Sequence, residues 1–348
     1  MRKNTDIFWK KKSIDKCGCI RSNNDMKILL VQDPTRLHHV ITQKHVQQIQ
    51  SIVPQGEVVL VSSDDEEKVN RHLEGADVLA GTLWSLPEIR DTKNLKWIHS
   101  FSAGVEHVLT PEVRNSDVIV GNVAGIHATP IAEHIIAFLL IFTRRLRDSF
   151  ISQQRKIWQK DNKLTELKDK TVLIVGLGHI GSETARLASA FGARVIAVDR
   201  AGKEKPDFVS ELYPSGDLKK ALPQADFVVL TLPYTEETHH LFDMEKFRIM
   251  KQSAVLLNVG RGKVVHEQEL IDALRQKMIA GAALDVFQEE PLSQESSLWG
   301  MENVVITPHQ SGISEKYMDR AVEVFCENLR AYLAGERLPN LVDKQRGY

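Results

Sequence analysis

Residues 170–200 read KTVLIVGLGHIGSETARLASAFGARVIAVDR, and this stretch decides the fold of the chain. The apolar, β-branched run Thr171–Val175 predicts a buried strand. An amphipathic helical pattern follows it, and a second strand is predicted at Arg194–Val198. Three glycines in G-x-G-x-x-G spacing join the first strand to the helix: Gly176, Gly178 and Gly181. The stretch therefore predicts a complete β-turn-α-β unit.

Each glycine of this turn has its own steric role. The first permits a tight turn, the second lets a pyrophosphate approach the backbone, and the third lets helix and strand pack closely. The phosphates would lie at the helix N-terminus, where N–H groups and the helix dipole favour anions. The alternative is a tight turn in an α/β protein that binds no nucleotide. The strand before the turn, the helix after it and the acid about 20 residues later favour a dinucleotide site.

Asp199 ends the second strand, where an acid that binds a ribose hydroxyl is expected. Such a carboxylate would repel a 2′-phosphate, so the sequence predicts NAD as the cofactor. Arg200, the next residue, could instead stack on the adenine or reach a 2′-phosphate. NADP therefore remains the alternative.

The composition excludes several classes of protein. The chain has 348 residues, of which 42% are hydrophobic and 26% charged, which is ordinary for a soluble globular protein of two domains. The net charge of −1 provides no field that would attract nucleic acid. The longest apolar run, Ile135–Phe142, is far too short for a membrane span. Three cysteines cannot form a disulfide framework, and free thiols fit a cytoplasmic location.

The first 25 residues differ from the rest of the chain. They are polar and basic and lack the apolar centre of a signal peptide. We expect residues 1–25 to form a mobile extension. Cys17 and Cys19 could bind a metal ion, but no further Cys or His follows at a suitable spacing, and we expect no metal site.

From Met26 onward, strands alternate with helices, which predicts parallel sheets covered on both faces. We expect two doubly wound α/β domains, with a Rossmann-type cofactor domain, residues 125–312, inserted in a smaller flavodoxin-like substrate domain. The smaller domain comprises residues 26–124 and 313–348, the latter as a helix that returns to it. Within Gly125–Phe150 the helical run Ile135–Phe142 is apolar all round, so we expect it to be buried between domains or subunits. The basic cluster Arg144, Arg145 and Arg147 predicts the end of this helix. Strands are predicted at Lys27–Val31, Glu57–Val61, Asp77–Ala80, Lys96–His99, Val118–Val120, Phe227–Thr231, Ala254–Asn258, Ala280–Leu284 and Val304–Thr307, besides the two around the glycine turn.

Three polar residues follow strands of the second domain: Arg261, Glu290 and His309. The carboxyl ends of strands in an open α/β sheet line the ligand crevice, so the three side chains are expected to converge there. An arginine fork can bind a carboxylate at two points, and a histidine can donate or accept a proton. A carboxylate behind the histidine would fix its tautomer and favour its charged form. Each residue alone has an ordinary structural explanation, but together, after a nucleotide unit, they suit reduction of a 2-oxo acid.

The chain resembles the D-isomer-specific 2-hydroxyacid dehydrogenases over nearly all of Met26–Leu341. The similarity lies in motifs that occur in the family's order: VGLGHIG, TLPYTEETHHLF, LLNVGRGKVVHEQELIDAL, GAALDVFQEEPL and NVVITPHQSG. FSAGVEHV resembles the family's substrate loop, and NVAGIHATPIAEHIIAFLL resembles its interdomain helix. The resemblance implies a homodimer that acts on a small 2-oxo or 2-hydroxy acid of the glyoxylate or hydroxypyruvate kind.

The resemblance also implies roles for single residues. Arg261 would bind the substrate carboxylate and carbonyl, His309 would be the acid/base, and Glu290 would be its partner. Backbone N–H groups of Ala103, Gly104 and Val105 would bind the substrate carboxylate. The implied cofactor contacts, besides the three glycines, Asp199 and Arg200, come from His179, Ile180, Leu232, Pro233, Val259, Gly260, Arg261, Asp285 and His309, with Asp285 on the nicotinamide carboxamide.

Two related classes remain as alternatives. Formate dehydrogenases, which resemble this family, pair the histidine with glutamine, and Glu290 argues against that class. Some transcriptional corepressors use the fold as a dimeric NADH sensor without catalysis. The sequence departs from many family members after His309, where it reads Gln-Ser-Gly. Side-chain specificity would depend on those residues and on the loop Gly81–Leu86, with Trp84, so the sequence does not name the substrate.

Overall fold

The computed structural model describes residues 26–35, 40–83, 92, 94–161, 163–200, 204–345 and 347. The predicted extension, residues 1–25, and Trp84 lie outside these residues. The chain divides into two compact units: one runs to Ile126 and resumes at Glu315, and the other is His127–Ser314. The division falls near the boundaries that the sequence suggests, at 124/125 and 312/313.

The first unit is built on a five-stranded parallel sheet of order β2-β1-β3-β4-β5. This is the flavodoxin-like order. Its strands are β1 (Lys27–Gln32), β2 (Glu57–Ser62), β3 (Val78–Gly81), β4 (Trp97–Ser100) and β5 (Ile119–Gly121). Its helices are α1 (Gln43–Gln50), α2 (Glu66–Leu73), α3 (Pro111–Asn115) and, from the end of the chain, α10 (Tyr317–Leu333).

Helix α10 packs on the sheet of the first unit through an aromatic cluster. The Phe325 ring lies 5.2 Å from that of Trp97 in a stacked arrangement and 5.7 Å from that of Phe101. His99 is fully buried in the same cluster, and burial lowers its pKa to about 3, so its ring is neutral at physiological pH. The apolar side chains of α10 recur at helical spacing, which is why one face of the helix can cover the sheet.

The second unit contains a seven-stranded parallel sheet of order β12-β11-β10-β9-β6-β7-β8. Because β6 lies between β9 and β7, the strand order reverses there, as in a Rossmann fold. The strands are β6 (Thr171–Val175), β7 (Arg194–Asp199), β8 (Glu211–Pro214), β9 (Phe227–Leu230), β10 (Val255–Asn258), β11 (Gly281–Leu284) and β12 (Val304–Ile306). The helices are α4 (Ala128–Thr143), α5 (Leu146–Gln154), α6 (His179–Ala190), α7 (Leu218–Ala221), α8 (Met244–Ile249) and α9 (Glu267–Arg275).

The sheet of the second unit is buried on both faces by two hydrophobic clusters. All five residues of β6 are buried, as expected for a central parallel strand. Helix α4 packs within this unit, where Ile135 and Leu139 join the cluster that contains Ile174 and Ala185. Ala137, within the apolar run, is exposed in the single chain, so burial of the run on every side would require a partner surface and stays a prediction.

The predicted fold class is confirmed: two α/β units with parallel sheets, one inserted in the other. Helix α4 ends at Thr143, next to the basic cluster where the sequence predicts a helix end, and Arg145, with a left-handed backbone of φ 48°, separates it from α5. Strand β8 is not among the predicted strands. Among the described residues, no helix has the length and apolar character needed to cross a membrane.

Candidate active site

The glycine turn between β6 and α6 has the geometry of a phosphate cradle. Gly176 has φ of +100°, which favours glycine. Gly178 precedes α6, and a Cβ built on it would meet no atom within 4 Å, so the backbone there is open to approach. A Cβ on Gly181 would lie 2.0 Å from the Gly176 carbonyl oxygen, so only glycine permits this packing of helix on strand. The three predicted steric roles thus each have a counterpart.

Asp199 is tied to this turn. Its Oδ2 accepts a hydrogen bond from the Leu177 backbone N–H at 2.7 Å, and its Oδ1 accepts one from the Arg200 N–H at 2.6 Å. The N-cap residue of α6 is Gly178, which has no side chain to cap the helix that begins at His179 and Ile180, and the helix dipole at this end favours an anion. An open cradle beside a fixed carboxylate suits a dinucleotide, and these residues fit the cofactor that the sequence predicts.

The other predicted cofactor residues lie at the same edge of the sheet. Leu232 and Pro233 follow β9, and Val259 and Gly260 follow β10. A Cβ on Gly260 would lie 2.7 Å from the Leu232 carbonyl oxygen, so the turns after these neighbouring strands pack directly on each other. Because all the strands are parallel, their carboxyl ends share this edge.

His309 and Glu290 form a hydrogen-bonded pair. The Nδ1 atom of His309 lies 2.7 Å from Oε2 of Glu290, and Oε1 of the same carboxylate accepts the Phe287 backbone N–H at 3.0 Å. An ionised carboxylate only accepts hydrogen bonds, so Nδ1 must carry the hydrogen. Nε2 is then the nitrogen that can exchange a proton with a ligand. The side chain of His309 is 54% exposed, so a ligand can reach it.

The backbone around His309 has an unusual conformation. Its φ is 48°, in the left-handed region that non-glycine residues seldom adopt. Its N–H donates to the Asp285 carbonyl oxygen at 2.8 Å. The Asp285 side chain is fully buried. Burial by itself would raise the pKa of Asp285, but hydrogen bonds from Ser311, Thr307 and the backbone of Gln310 outweigh burial and hold that pKa below its usual value.

Arg261 is held through its backbone by Asn258. The Asn258 amide donates to the Arg261 carbonyl oxygen at 3.1 Å and accepts the Gly260 N–H at 3.2 Å. Arg261 is exposed, and its Nη1 donates to the Gly260 carbonyl oxygen at 2.9 Å. Asn258 is 1% exposed and was not singled out in the sequence. A polar amide at the end of an apolar strand was the signal that could have revealed it.

Gly262 brings the turn of Arg261 against the turn of Glu290. A Cβ built on Gly262 would lie 1.8 Å from the Phe287 carbonyl oxygen and 2.6 Å from the Gln288 nitrogen. Phe287 is also the residue whose N–H binds the Glu290 carboxylate. The structure thus joins the segments that carry Arg261, Glu290 and His309 by short backbone contacts.

The predicted substrate loop belongs to the first unit. Ala103, Gly104 and Val105 follow β4 at the carboxyl edge of its sheet. The Asn122 side-chain amide donates to the Ala103 carbonyl oxygen at 2.8 Å. The Val105 carbonyl oxygen accepts the N–H groups of two later residues, so the loop closes as a turn. The segment is therefore locally ordered within its own unit.

Comparison with known proteins decides the family. Residues 136–311 match the model of the "D-isomer specific 2-hydroxyacid dehydrogenase, NAD binding domain". The chain belongs to this family. A glyoxylate reductase from Thermofilum pendens is 35% identical over 83% of this chain and 89% of its own length.

Solved structures show the same relationship over both units. A D-isomer specific 2-hydroxyacid dehydrogenase family protein from Aeromonas salmonicida has a TM-score of 0.78 and 31% identity, and the match covers 92% of this chain and 99% of that one. An NADPH-dependent glyoxylate/hydroxypyruvate reductase from Sinorhizobium meliloti, in complex with NADP and sulfate, has a TM-score of 0.76 and 29% identity. That match covers 93% of this chain and all of the other.

The protein is therefore an NAD(P)-dependent D-2-hydroxyacid dehydrogenase, an oxidoreductase that binds a nicotinamide dinucleotide. The identity to glyoxylate reductases over most of the chain favours the enzyme over the non-catalytic sensor that the sequence left open. In the part of the chain that the structure describes, no group of three or more His, Cys, Asp or Glu side chains is arranged to hold a metal ion.

The contact at Gly262 makes a first prediction for this dehydrogenase. In Gly262→Ala the added methyl must push the Arg261 turn away from the Phe287 backbone, and we expect about 1–3 kcal/mol of lost stability and at least about a tenfold lower kcat. Thermal unfolding and steady-state kinetics measure the two effects. Gly216→Ala is the matched control, because no atom lies within 4 Å of its Cβ position. Equal stability and equal kcat of the two variants would show that close packing at Gly262 is not needed.

Proposed function

We propose that this dehydrogenase reduces a small 2-oxo acid of the glyoxylate or hydroxypyruvate kind to its D-2-hydroxy acid. The observation that carries the proposal is the His309–Glu290 pair, 2.7 Å apart, at the sheet edge that also carries the glycine turn. The glyoxylate reductase relative from Thermofilum pendens supports this substrate class. Glu290, rather than glutamine, argues against a formate dehydrogenase.

His309 acts as the general acid in this proposal. It holds a proton on Nε2 and transfers it to the substrate carbonyl oxygen, which becomes the hydroxyl of the product. Glu290 accepts the Nδ1 hydrogen throughout, so it fixes the ring orientation and stabilises the imidazolium before transfer. The bound nicotinamide supplies the hydride to the carbonyl carbon. In the reverse direction, neutral His309 takes the hydroxyl proton.

Arg261 binds the substrate in this proposal. Its guanidinium fork suits a carboxylate, and the same positive charge can polarise the neighbouring carbonyl. The hydrogen bond from Asn258 to the Arg261 backbone holds the start of the side chain in place. The backbone N–H groups of Ala103, Gly104 and Val105 are proposed as further donors to the carboxylate.

NAD is the proposed physiological cofactor. Asp199 would accept a hydrogen bond from the ribose and repel a 2′-phosphate. The NADP complex of the Sinorhizobium meliloti relative favours the alternative, in which Arg200 binds that phosphate. Asp285 is proposed, from the family resemblance, to bind the nicotinamide carboxamide.

His309→Ala tests the chemical role. We expect kcat to fall by about 10²–10⁴-fold, because proton transfer is lost, while the Kd for NADH changes little. The rate is measured with glyoxylate, hydroxypyruvate and pyruvate, each with NADH and NADPH, and cofactor binding by nicotinamide fluorescence. His72→Ala, in helix α2 of the other unit, is the control. Binding of NADH without turnover of any 2-oxo acid by the wild type would contradict the proposal.

Asp199→Ala tests the cofactor preference. The variant also loses the bond to the Leu177 N–H, which affects both cofactors, so the ratio of the two dissociation constants is the informative quantity. We expect the wild type to prefer NADH and the preference to fall by about tenfold in the variant, since the repulsion of the 2′-phosphate disappears. Asp64→Ala, an exposed acid of the first unit, should leave the ratio unchanged. An unchanged ratio in Asp199→Ala would rule out the assignment.

We also propose that the protein is a homodimer. Helix α5 has no buried residue, and it begins a segment that exposes several large apolar side chains. Their exposed fractions reach 57% and 95% at Phe150 and Trp158. An apolar surface of this kind on one segment is typical of an interface with a partner.

The oligomeric state tests this proposal. By analytical ultracentrifugation we expect a dimer for the wild type and at least about a tenfold higher dissociation constant for Trp158→Ser, since a buried aromatic contributes strongly to an interface. Trp299→Ser is the matched control, because Trp299 is 52% exposed but lies on another part of the unit. A wild type that is monomeric at micromolar concentration would refute the homodimer.

A further inference from the structure

Asp285 is fully buried, and its carboxylate receives four hydrogen bonds from one short segment. Its Oδ1 accepts the Thr307 hydroxyl at 2.5 Å and the Gln310 N–H at 3.0 Å. Its Oδ2 accepts the Ser311 N–H at 3.0 Å, and the Ser311 hydroxyl provides the fourth bond. Two of these four donors are side-chain hydroxyls and two are backbone N–H groups, so the segment binds the carboxylate through both its backbone and its side chains.

His309 lies in the middle of this segment, between the donors. Its backbone adopts the left-handed conformation, which is strained for a non-glycine residue and persists only where the surroundings enforce it. The donors on either side of His309 converge on one buried charge, and the His309 N–H itself binds the Asp285 carbonyl oxygen at 2.8 Å. Asp285 therefore supplies the constraint that this conformation requires.

A second, half-buried contact orients the Thr307 hydroxyl. Nε2 of His134, on helix α4, lies 3.1 Å from Thr307 Oγ1. Thr307 has one hydroxyl hydrogen, and the carboxylate can only accept, so that hydrogen points to Asp285. His134 must then donate through Nε2–H. Burial lowers the pKa of His134, although the charge of Asp285 acts in the opposite direction.

The ring of His134 is also held in place from its own helix. It contacts the Phe138 ring edge-on, with 4.5 Å between the ring centroids and 80° between the planes. The donors therefore run in one direction, from His134 to Thr307 to Asp285. Every member lies in the unit His127–Ser314, so the arrangement is complete within one compact unit of the chain.

We propose that His134, Thr307 and Asp285 are positioning residues that fix the backbone of His309 and so aim its imidazole for proton transfer. This inference rests on the proposed role of His309 as the acid/base. It assigns to Asp285 a function besides contact with the carboxamide, and it gives helix α4 a part in catalysis. None of the three side chains needs to touch the substrate.

Thr307→Val tests the proposal, since it removes the hydroxyl and keeps the shape. We expect kcat to fall by about 10–100-fold, because a small misalignment of the reacting groups carries a cost of this size. The Kd for NADH, measured by fluorescence, should change by less than about threefold. Thr307→Ser retains the hydroxyl and should keep kcat within about threefold of the wild type. Thr143→Val is the control, because its buried hydroxyl bonds only within helix α4.

A double-mutant cycle with His309→Ala separates positioning from a general structural effect. If Thr307 acts through His309, Thr307→Val should cause no further loss of kcat in the His309→Ala background. A loss of the same size in both backgrounds would overturn the proposal. So would a kcat for Thr307→Val equal to that of Thr143→Val, or a weaker NADH affinity that accounts for the whole effect.

Variants of His134 provide a second, independent test of the proposal. His134→Leu removes the donor to Thr307 and should lower kcat by about tenfold, whereas His134→Gln can still donate and should retain more of the rate. Equal losses in these two variants would contradict the donor chain. A wild-type rate in His309→Ala would instead refute the proposed function itself, which is a different outcome from failure of the positioning network.

Discussion

The parallel direction of the strands is the constraint on which the active site depends. In the seven-stranded sheet every strand ends at the same edge, so turns that are far apart in sequence become neighbours. Glu290 and His309 follow adjacent strands, β11 and β12, and their side chains meet although 19 positions separate them. The glycine turn after β6 occupies the same edge where the strand order reverses. The fold thus places the glycine turn and the His309–Glu290 pair along one edge of the same sheet before any specific contact is considered.

Much of this arrangement could be predicted because it follows from local pattern. The glycine turn, the flanking strands and the fold class come from periodicity and from residues with a single steric purpose, such as Gly181. The packing of the turn after β10 was harder to predict. Gly262 is as sterically constrained as Gly181. The constraint comes from the backbone of Phe287, which is distant in sequence, so the sequence alone does not place the two residues together.

Other features could not be predicted because tertiary contacts override local preference. Strand β8 is short, half-exposed and ends in proline, so it has no clear alternation. Helix α5 was not predicted, and Arg145 precedes it in a left-handed conformation, with ion pairs of its side chain to Asp148 at 2.7 Å and Asp161 at 2.6 Å. The second of these partners lies beyond helix α5. A helical pattern cannot reveal such a pair, because sequence spacing gives no sign of it.

The buried polar residues explain why the roles of the site residues are easier to foresee than their geometry. Arg261 is exposed, and the side chain of His309 is 54% exposed. The chemistry of both can be predicted from residue type. Their orientation depends on Asn258 and Asp285, which are buried and bond mainly to backbone groups. A buried amide or carboxylate is tolerated only when its hydrogen bonds are satisfied, so these residues fix the turns with little freedom. Substitution of the exposed side chains would then change the chemistry of the site. Substitution of the buried ones would change the orientation of the exposed side chains.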